Sequence, residues 1–161
     1  MPAHYGLMKR FLLIIGVCCL LGLSGCGRSK GGNTLVSRSF TPTGWERFDF
    51  VKNELDIKKP TTYDLSLEVS FDSTYAYNYF SVVFSIFDNE GNPFRSKSYK
   101  FWVKDPDGSW KSTLADGSYH FTFPVNKELS INEPGIYHCQ LESHMPITPL
   151  LGVKKVAIIY N

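Results

Sequence analysis

Residues 63–71 read Tyr63-Asp64-Leu65-Ser66-Leu67-Glu68-Val69-Ser70-Phe71, with an apolar side chain at every second position. Successive side chains of a strand point to opposite faces, so this period of two predicts a strand with one buried and one wetted face. The same alternation returns in residues 80–86, 99–103, 119–123 and 137–141. A helical period is almost absent from these segments, so the folded part of the chain is predicted to consist of strands.

Turn sequences separate these strands. Asn89-Glu90-Gly91-Asn92-Pro93, Asp105-Pro106-Asp107-Gly108 and Glu133-Pro134-Gly135 are rich in the residues that reverse a chain. Residues 153–160 predict a last strand, apolar on both faces and therefore central in its sheet, and shorter candidates lie at 35–40 and 46–51. About eight strands with regular turns predict an all-β fold, a single antiparallel β-sandwich of jelly-roll-like type.

The N-terminal region has the pattern of a lipoprotein signal. Residues 9–23 run from a basic pair into an apolar segment, and the small residues 24–25 lead into Cys26. The apolar segment is shorter than the roughly 20 residues that span a bilayer, and a small-residue cleavage site ends a signal peptide. We therefore expect translation to start at Met8, residues 1–25 to be a removed signal, and Cys26 to be lipidated.

The expected processing places the protein on a membrane. Residues 26–33 are predicted to be the lipidated cysteine and a short flexible tether, and residues 34–161 the β-sandwich domain. Position 27 is glycine rather than the aspartate that retains lipoproteins in the inner membrane. No acidic cluster of the kind that directs some lipoproteins to the cell surface follows Cys26. We expect a lipid anchor in the outer membrane, with the domain facing the periplasm.

The processed chain is predicted to be electrically neutral and to have one free thiol. Lys9 and Arg10 leave with the signal, so the 17 basic side chains fall to 15, equal to the 15 acidic ones. No basic field remains to attract nucleic acid. Two of the four cysteines lie in the signal and Cys26 is lipidated, which leaves Cys139 alone. We expect no disulfide, and we expect Cys139 to be a small buried apolar residue.

Several short motifs follow one another along the chain. They are Trp45 with Phe48-Asp49-Phe50, Tyr63-Asp64-Leu65-Ser66-Leu67, Tyr75-Ala76-Tyr77-Asn78-Tyr79, Asp107-Gly108-Ser109-Trp110, Pro134-Gly135-Ile136-Tyr137, and a tail from His144-Met145 through Leu150-Leu151-Gly152-Val153 to Val156. Their order and spacing resemble the gliding-motility lipoprotein GldH family. The chain departs from the family pattern at Ser70-Phe71, where an arginine is frequent, and at Lys111-Ser112, where a glycine is frequent.

The resemblance covers the signal and nearly all of the mature chain. It implies an outer-membrane lipoprotein connected with surface gliding and its envelope machinery, with no known catalysis.

Motifs for catalysis or metal binding are missing from the sequence. The Gly-x-Ser-x-Gly match at residues 27–31 lies in the predicted tether, not at the strand-to-helix turn that a nucleophile elbow requires. His120 and His138 are predicted on the outward faces of two strands and could be neighbours, but no third ligand is spaced for zinc. Asp105 and Asp107 resemble the start of a calcium loop, but the later ligands are absent, which favours a plain turn. We expect no enzyme activity, no metal and no cofactor.

Aromatic side chains are the remaining candidates for a functional surface. The candidate residues are Trp102, Tyr75, Tyr77, Tyr79 and Trp110. Trp102 is predicted to point outward between Lys100 and Lys104, and the three tyrosines to share one face. Exposed aromatic residues are enriched at protein interfaces, although a second sheet or a loop could equally cover them.

We therefore predict a lipid-anchored, non-enzymatic protein that binds an envelope protein partner in gliding or associated secretion machinery. The first alternative is a carbohydrate-binding β-sandwich of the cell envelope, because exposed tryptophan and tyrosine stack on sugar rings. The second alternative is an envelope hydrolase, which would need a pocket with two carboxylates or a buried histidine beside a serine.

Overall fold

The computed structural model describes residues 32–161, which form nine strands and no helix. The strands are β1 (Asn33–Ser39), β2 (Val51–Ile57), β3 (Thr61–Phe71), β4 (Tyr79–Phe87), β5 (Pro93–Trp102), β6 (Leu114–Ala115), β7 (Ser118–Ile131), β8 (Gly135–Ser143) and β9 (Val153–Tyr160). Across this described part of the chain, no helix has the length and apolar character needed to cross a membrane. The predicted signal, Cys26 and most of the predicted tether lie outside the described residues.

The nine strands form two antiparallel sheets. One sheet has the order β1-β9-β3-β7-β6 and the other the order β2-β8-β4-β5. The chain alternates between the sheets from β1 to β4, and the last strand returns to lie beside the first, which is the arrangement of a jelly roll. The predicted all-β, jelly-roll-like sandwich is confirmed. The last strand lies between β1 and β3, as its apolar character predicted.

The alternating stretch at residues 63–71 lies in the middle of the five-stranded sheet. As β3, it pairs with β7 on one side and with β9 on the other. Leu65, Leu67, Val69 and Phe71 are all buried. A slip of one residue would turn these four side chains to water, so the alternation fixes the register of the sheet.

The second strand differs from its prediction. Strand β2 begins at Val51, where the predicted strand at 46–51 ended. Residues 40–50 instead form a loop, in which Trp45 makes an isolated bridge with Leu150. The sequence of β2 lacks a clear alternation because Asn53 is used as a polar link, with its Nδ2 donating to the Leu35 carbonyl of β1 at 2.5 Å. This hydrogen bond joins the two sheets along one side of the sandwich.

Two serines on the outer face of β4 are buried, although they were predicted to face water. Ser81 and Ser85 are buried. The Ser81 hydroxyl donates to the Tyr99 carbonyl at 2.9 Å, and the Ser85 hydroxyl is 2.8 Å from that of Ser96. Because hydrogen-bonded hydroxyls are inexpensive to bury, these two serines can be buried on a face where Tyr79, Val83 and Phe87 stay partly exposed.

The sandwich has two distinct ends, defined by the strand directions. The proximal end contains the start of β1, the end of β9 and the turns at 58–60, 88–92 and 132–134. The distal end contains the loops at 40–50, 72–78, 103–113 and 144–152. The chain therefore enters the domain at the proximal end.

Exposed apolar side chains are concentrated at the distal end. Among the described residues, the large hydrophobic side chains with high exposure are Phe48, Phe94, Trp102, Leu114, Ile147 and Leu151. All of them except Phe94 lie at the distal end. A large exposed apolar patch on a monomeric protein marks an interaction site, so the distal end is the part of this domain in which to look for one.

Candidate functional site

One residue that was predicted to lie on the surface lies in the core. Tyr75 has no exposed surface, and its hydroxyl donates to the Tyr79 carbonyl at 2.6 Å. Burial raises the pKa of this phenol far above its usual value. The prediction that Tyr75, Tyr77 and Tyr79 share an exposed face is wrong because residues 72–78 form a turn rather than a strand, so strand alternation does not apply there.

Trp110 is half-buried and packs on the core. Its ring stacks on Tyr119 with centroids 4.1 Å apart and lies 5.8 Å from the ring of Phe71. The ammonium group of Lys104 lies 4.4 Å from the Trp110 ring centre. The prediction that Trp110 belongs to an exposed interaction surface is wrong, because these contacts cover most of its ring.

Lys104 was also predicted to point into water and does not. Its Nζ donates to the Tyr75 carbonyl at 2.6 Å, which ties the loop after β5 to the turn before β4. Desolvation lowers the pKa of this ammonium group from its ordinary value. Lys104 therefore holds two distal loops together.

Trp102 lies on the outer face of the four-stranded sheet, as predicted, and 56% of its surface is exposed. It is the cross-strand partner of Tyr79, and the two rings meet edge to face at 5.8 Å. The Lys100 ammonium lies 4.0 Å from the Tyr79 ring centre and 5.0 Å from that of Trp102. We call Tyr79, Lys100 and Trp102 the aromatic cluster.

A pocket lies on each side of the aromatic cluster. The first, of about 640 Å³, is lined by residues that include Arg47, Phe48, Tyr79, Glu142, His144 and Pro146. The second, of about 430 Å³, is lined by Asn78, Trp102, Lys104, Pro106 and Lys111. We call the cluster and its two pockets the distal ridge. It runs across the distal margin of the four-stranded sheet, from β8 over β4 to the loop after β5.

Sequence reasoning missed the part of the ridge that surrounds Phe48. This side chain is 76% exposed, and its backbone has a φ of 64°, which is uncommon for a residue with a side chain. Phe48 and Phe50 flank a polar residue, and this spacing contributed to the strand that was predicted at residues 46–51. Ile147 and Leu151 lie in the opposing loop, and no sequence pattern distinguishes them from core residues.

The loop of Phe48 is fastened to the opposing loop. The backbone nitrogen of Arg47 donates a hydrogen bond to the Thr148 hydroxyl oxygen at 2.8 Å. The Thr148 hydroxyl in turn donates to the Glu46 carboxylate at 3.1 Å. These bonds hold the exposed apolar side chains of both loops in one place.

Among the described residues, His120 and His138 lie apart and Cys139 lies in the core. His120 belongs to β7 in one sheet and His138 to β8 in the other, so the expectation that they could be neighbours is wrong. No group of three His, Cys, Asp or Glu residues within residues 32–161 is arranged to hold a metal ion. Cys139 is buried, and burial raises the pKa of its thiol to about 12. A thiol held protonated in this way is a poor nucleophile.

The fold and the ridge define a class of protein, a jelly-roll domain with an aromatic and basic surface at the end opposite its chain entrance. A family model described as GldH lipoprotein matches residues 36–159. The chain therefore belongs to the GldH lipoprotein family, and the predicted resemblance is confirmed.

Other comparisons add little. No curated protein matches the chain. A similar solved structure is the CBM35 from Cellvibrio japonicus Abf62, with 11% sequence identity and a TM-score of 0.42, covering 82% of this chain and 88% of that one. At that TM-score, the likeness does not bear on what this chain binds.

Proposed function

We propose that this chain is a non-enzymatic envelope lipoprotein that docks a protein partner through its distal end. Its anchor is the lipidated Cys26 in the outer membrane, and its domain faces the periplasm. Membership of the GldH lipoprotein family supports the anchor. The partner belongs to the gliding machinery or to associated envelope and secretion machinery.

The observation that carries this proposal is the position of the exposed apolar side chains. Five of the six that are strongly exposed in the described residues lie at the distal end. The tether between Cys26 and β1 has six residues, which reach about 20 Å when extended. The tether thus keeps the proximal end near the membrane and leaves the distal end free for a partner.

Crosslinking in living cells tests this function. A photo-crosslinking amino acid at Phe48 or at Ile147 is expected to give discrete protein adducts. The same substitution at Phe94, an exposed aromatic residue of the proximal end, is the matched control and is expected to give none. The Cys26→Ala variant should lose the distal adducts because it lacks the anchor.

Two results would count against protein docking. One is equal crosslinking from Phe94 and from the distal positions. The other is normal surface movement and normal protein export in cells from which the gene has been deleted; in a host that does not glide, normal export alone is the relevant result.

Carbohydrate binding is the second candidate function, and the pocket beside Trp102 favours it. The pocket places an exposed indole beside the Asn78 side chain, which makes no hydrogen bond to any described residue. An aromatic ring beside a free amide suits a sugar ring and its hydroxyl groups. Titration with envelope glycans distinguishes this candidate, because sugar binding should be lost in Trp102→Ala while the fold persists.

A further inference from the structure

The charge of the distal ridge differs from that of the rest of the domain. Without Lys9, Arg10, Arg28 and Lys30, the domain of residues 34–161 has 13 basic and 15 acidic side chains. The ridge reverses this balance. Its cations are Arg47, Lys100, Lys104 and Lys111, and its carboxylates are Glu142 and, beside Lys111 at 3.5 Å, Asp105.

Lys100 is the free charge at the centre of the ridge. It is exposed and has no carboxylate within 4.0 Å among the described residues. Its ammonium group lies against two aromatic rings, so its position is defined although it forms no ion pair. A carboxylate on a bound partner would supply the missing counter-charge.

The ring of Trp102 is already oriented for binding. Tyr79 and Lys100 contact the indole ring. Neither of these two residues lines the second pocket, which Trp102 does line. The part of the indole that remains free therefore lines that pocket. An aromatic side chain that is fixed before binding loses little conformational entropy on contact.

The apolar surroundings indicate the kind of partner. Phe48, Ile147, Leu114 and Leu151 are exposed at the same end of the sandwich. Exposed aliphatic and phenyl groups gain by contact with apolar protein side chains and gain little from sugar hydroxyls. Phe48 and Pro146 line the first pocket of the distal ridge, and Trp102 and Pro106 line the second. Each pocket therefore offers apolar contact, with the positive charge of Lys100 between them.

We propose that the distal ridge binds an acidic, extended segment of a protein partner, with one apolar side chain in each pocket and a carboxylate at Lys100. The proposal rests on protein docking at the distal end and specifies the chemistry of the docked segment. Electrostatic complementarity makes binding selective and dependent on salt.

Selection from a random peptide library displayed on phage tests this chemistry. The bait is the mature lipidated chain in lipid nanodiscs, and phage that bind the Trp102→Ala, Lys100→Glu double variant are removed. The enriched peptides are expected to contain Asp or Glu between two apolar residues. A synthetic copy of an enriched peptide should bind at least about tenfold more weakly to Lys100→Glu, and raised salt should weaken its binding.

The control variants lie on the same domain but away from the ridge. Phe94→Ala removes an exposed aromatic residue from the same strand as Trp102, and Lys127→Glu reverses an exposed charge on β7. Both should bind the peptide as the unchanged chain does. Circular dichroism of every variant checks that the fold is retained, which is expected because Lys100 and Trp102 are exposed.

Three results would overturn the proposal. They are enrichment of basic or uncharged peptides, no enrichment above the double variant, and binding of a glycan at Trp102 that the peptide does not compete with. The in-cell crosslinks at Phe48 and Ile147 separate the two proposals. If a protein crosslinks there but the selected peptides are not acidic, docking stands and the acidic segment is wrong.

Discussion

Single residues decide how the distal loops meet. Gly152, just before β9, has a φ of 80°, and a Cβ placed on it would lie 2.6 Å from the Tyr75 Cα. Its carbonyl accepts a hydrogen bond from the Asp72 nitrogen at 2.9 Å. Because the backbone of Gly152 passes so close to the turn after β3, the turn can fold inward and place the Tyr75 ring in the core. The buried ring then contacts Phe71 and Trp110.

The two glycines Gly152 and Gly91 give a matched test of this close approach. Both have positive φ, but a Cβ at Gly91 would meet nothing within 4 Å. We expect Gly91→Ala to lower the free energy of unfolding by about 1 kcal/mol, the cost of left-handed backbone. Gly152→Ala adds a backbone clash and should lower it by at least about 3 kcal/mol. Urea unfolding followed by tryptophan fluorescence measures both values, and equal losses would contradict the account.

The sequence was informative at residue level only where a strand sets the direction of side chains. Trp102 lies on the outward face of β5 as the alternation predicted, and Lys100 does too. Tyr75 and Lys104 lie in loops, where direction depends on contacts such as the hydrogen bond between them. Such contacts join residues far apart along the chain, so no local pattern predicts them.

The strands at the two sides of the sandwich are protected in different ways. On one side, Asn53 of β2 links to β1. On the other, β5 is an edge strand and β7 is unpaired beyond its short contact with β6. The inward positions of β5 include Lys97 and Arg95, opposite the buried Phe84 and Ile86. Charged side chains that point inward on an edge strand oppose pairing with another chain.

The alternating pattern predicted strands β3, β4, β5, β7 and β8, and a continuous apolar run predicted β9, but the order of the strands in the sheets came only from the structure. Strand β2 was misplaced because its inward Asn53 interrupts the apolar alternation. The asparagine is tolerated at this position because its side chain donates a hydrogen bond to a carbonyl of β1, which is distant in the sequence. A polar residue that makes a contact between the two sheets interrupts the local alternation from which a strand is predicted.

Removing the charges from the edge strand should make the protein self-associate. We expect the Arg95→Val, Lys97→Val variant to form dimers or larger species, because the inward face of the free β5 edge then carries no charge. Lys154→Val, Lys155→Val is the control, since these lysines lie on β9, which is paired on both sides. Analytical ultracentrifugation compares the two, and a monomeric β5 variant would show that other features protect this edge.

The two ends of the described domain differ in the surface that they expose. The chain enters where little apolar surface is exposed, and the aromatic and basic ridge lies at the other end. Cys139 sits inside the sandwich with its thiol protonated, so the mature chain offers no reactive thiol of its own on the domain surface. A cysteine introduced at either end therefore reports the surroundings of that end alone.

Cysteine labelling of whole cells tests the proposed location of the domain on the periplasmic side of the outer membrane. We expect Leu151→Cys at the distal end and Lys59→Cys at the proximal end to resist a membrane-impermeant maleimide in intact cells. Both should react once the outer membrane is permeabilised, because both side chains are exposed. The unchanged chain should stay unlabelled throughout, since a thiol with a pKa near 12 has about a thousandfold less thiolate than one near 9. Labelling of Leu151→Cys in intact cells would place the distal end outside the cell, and the partner of the ridge would then be an extracellular protein.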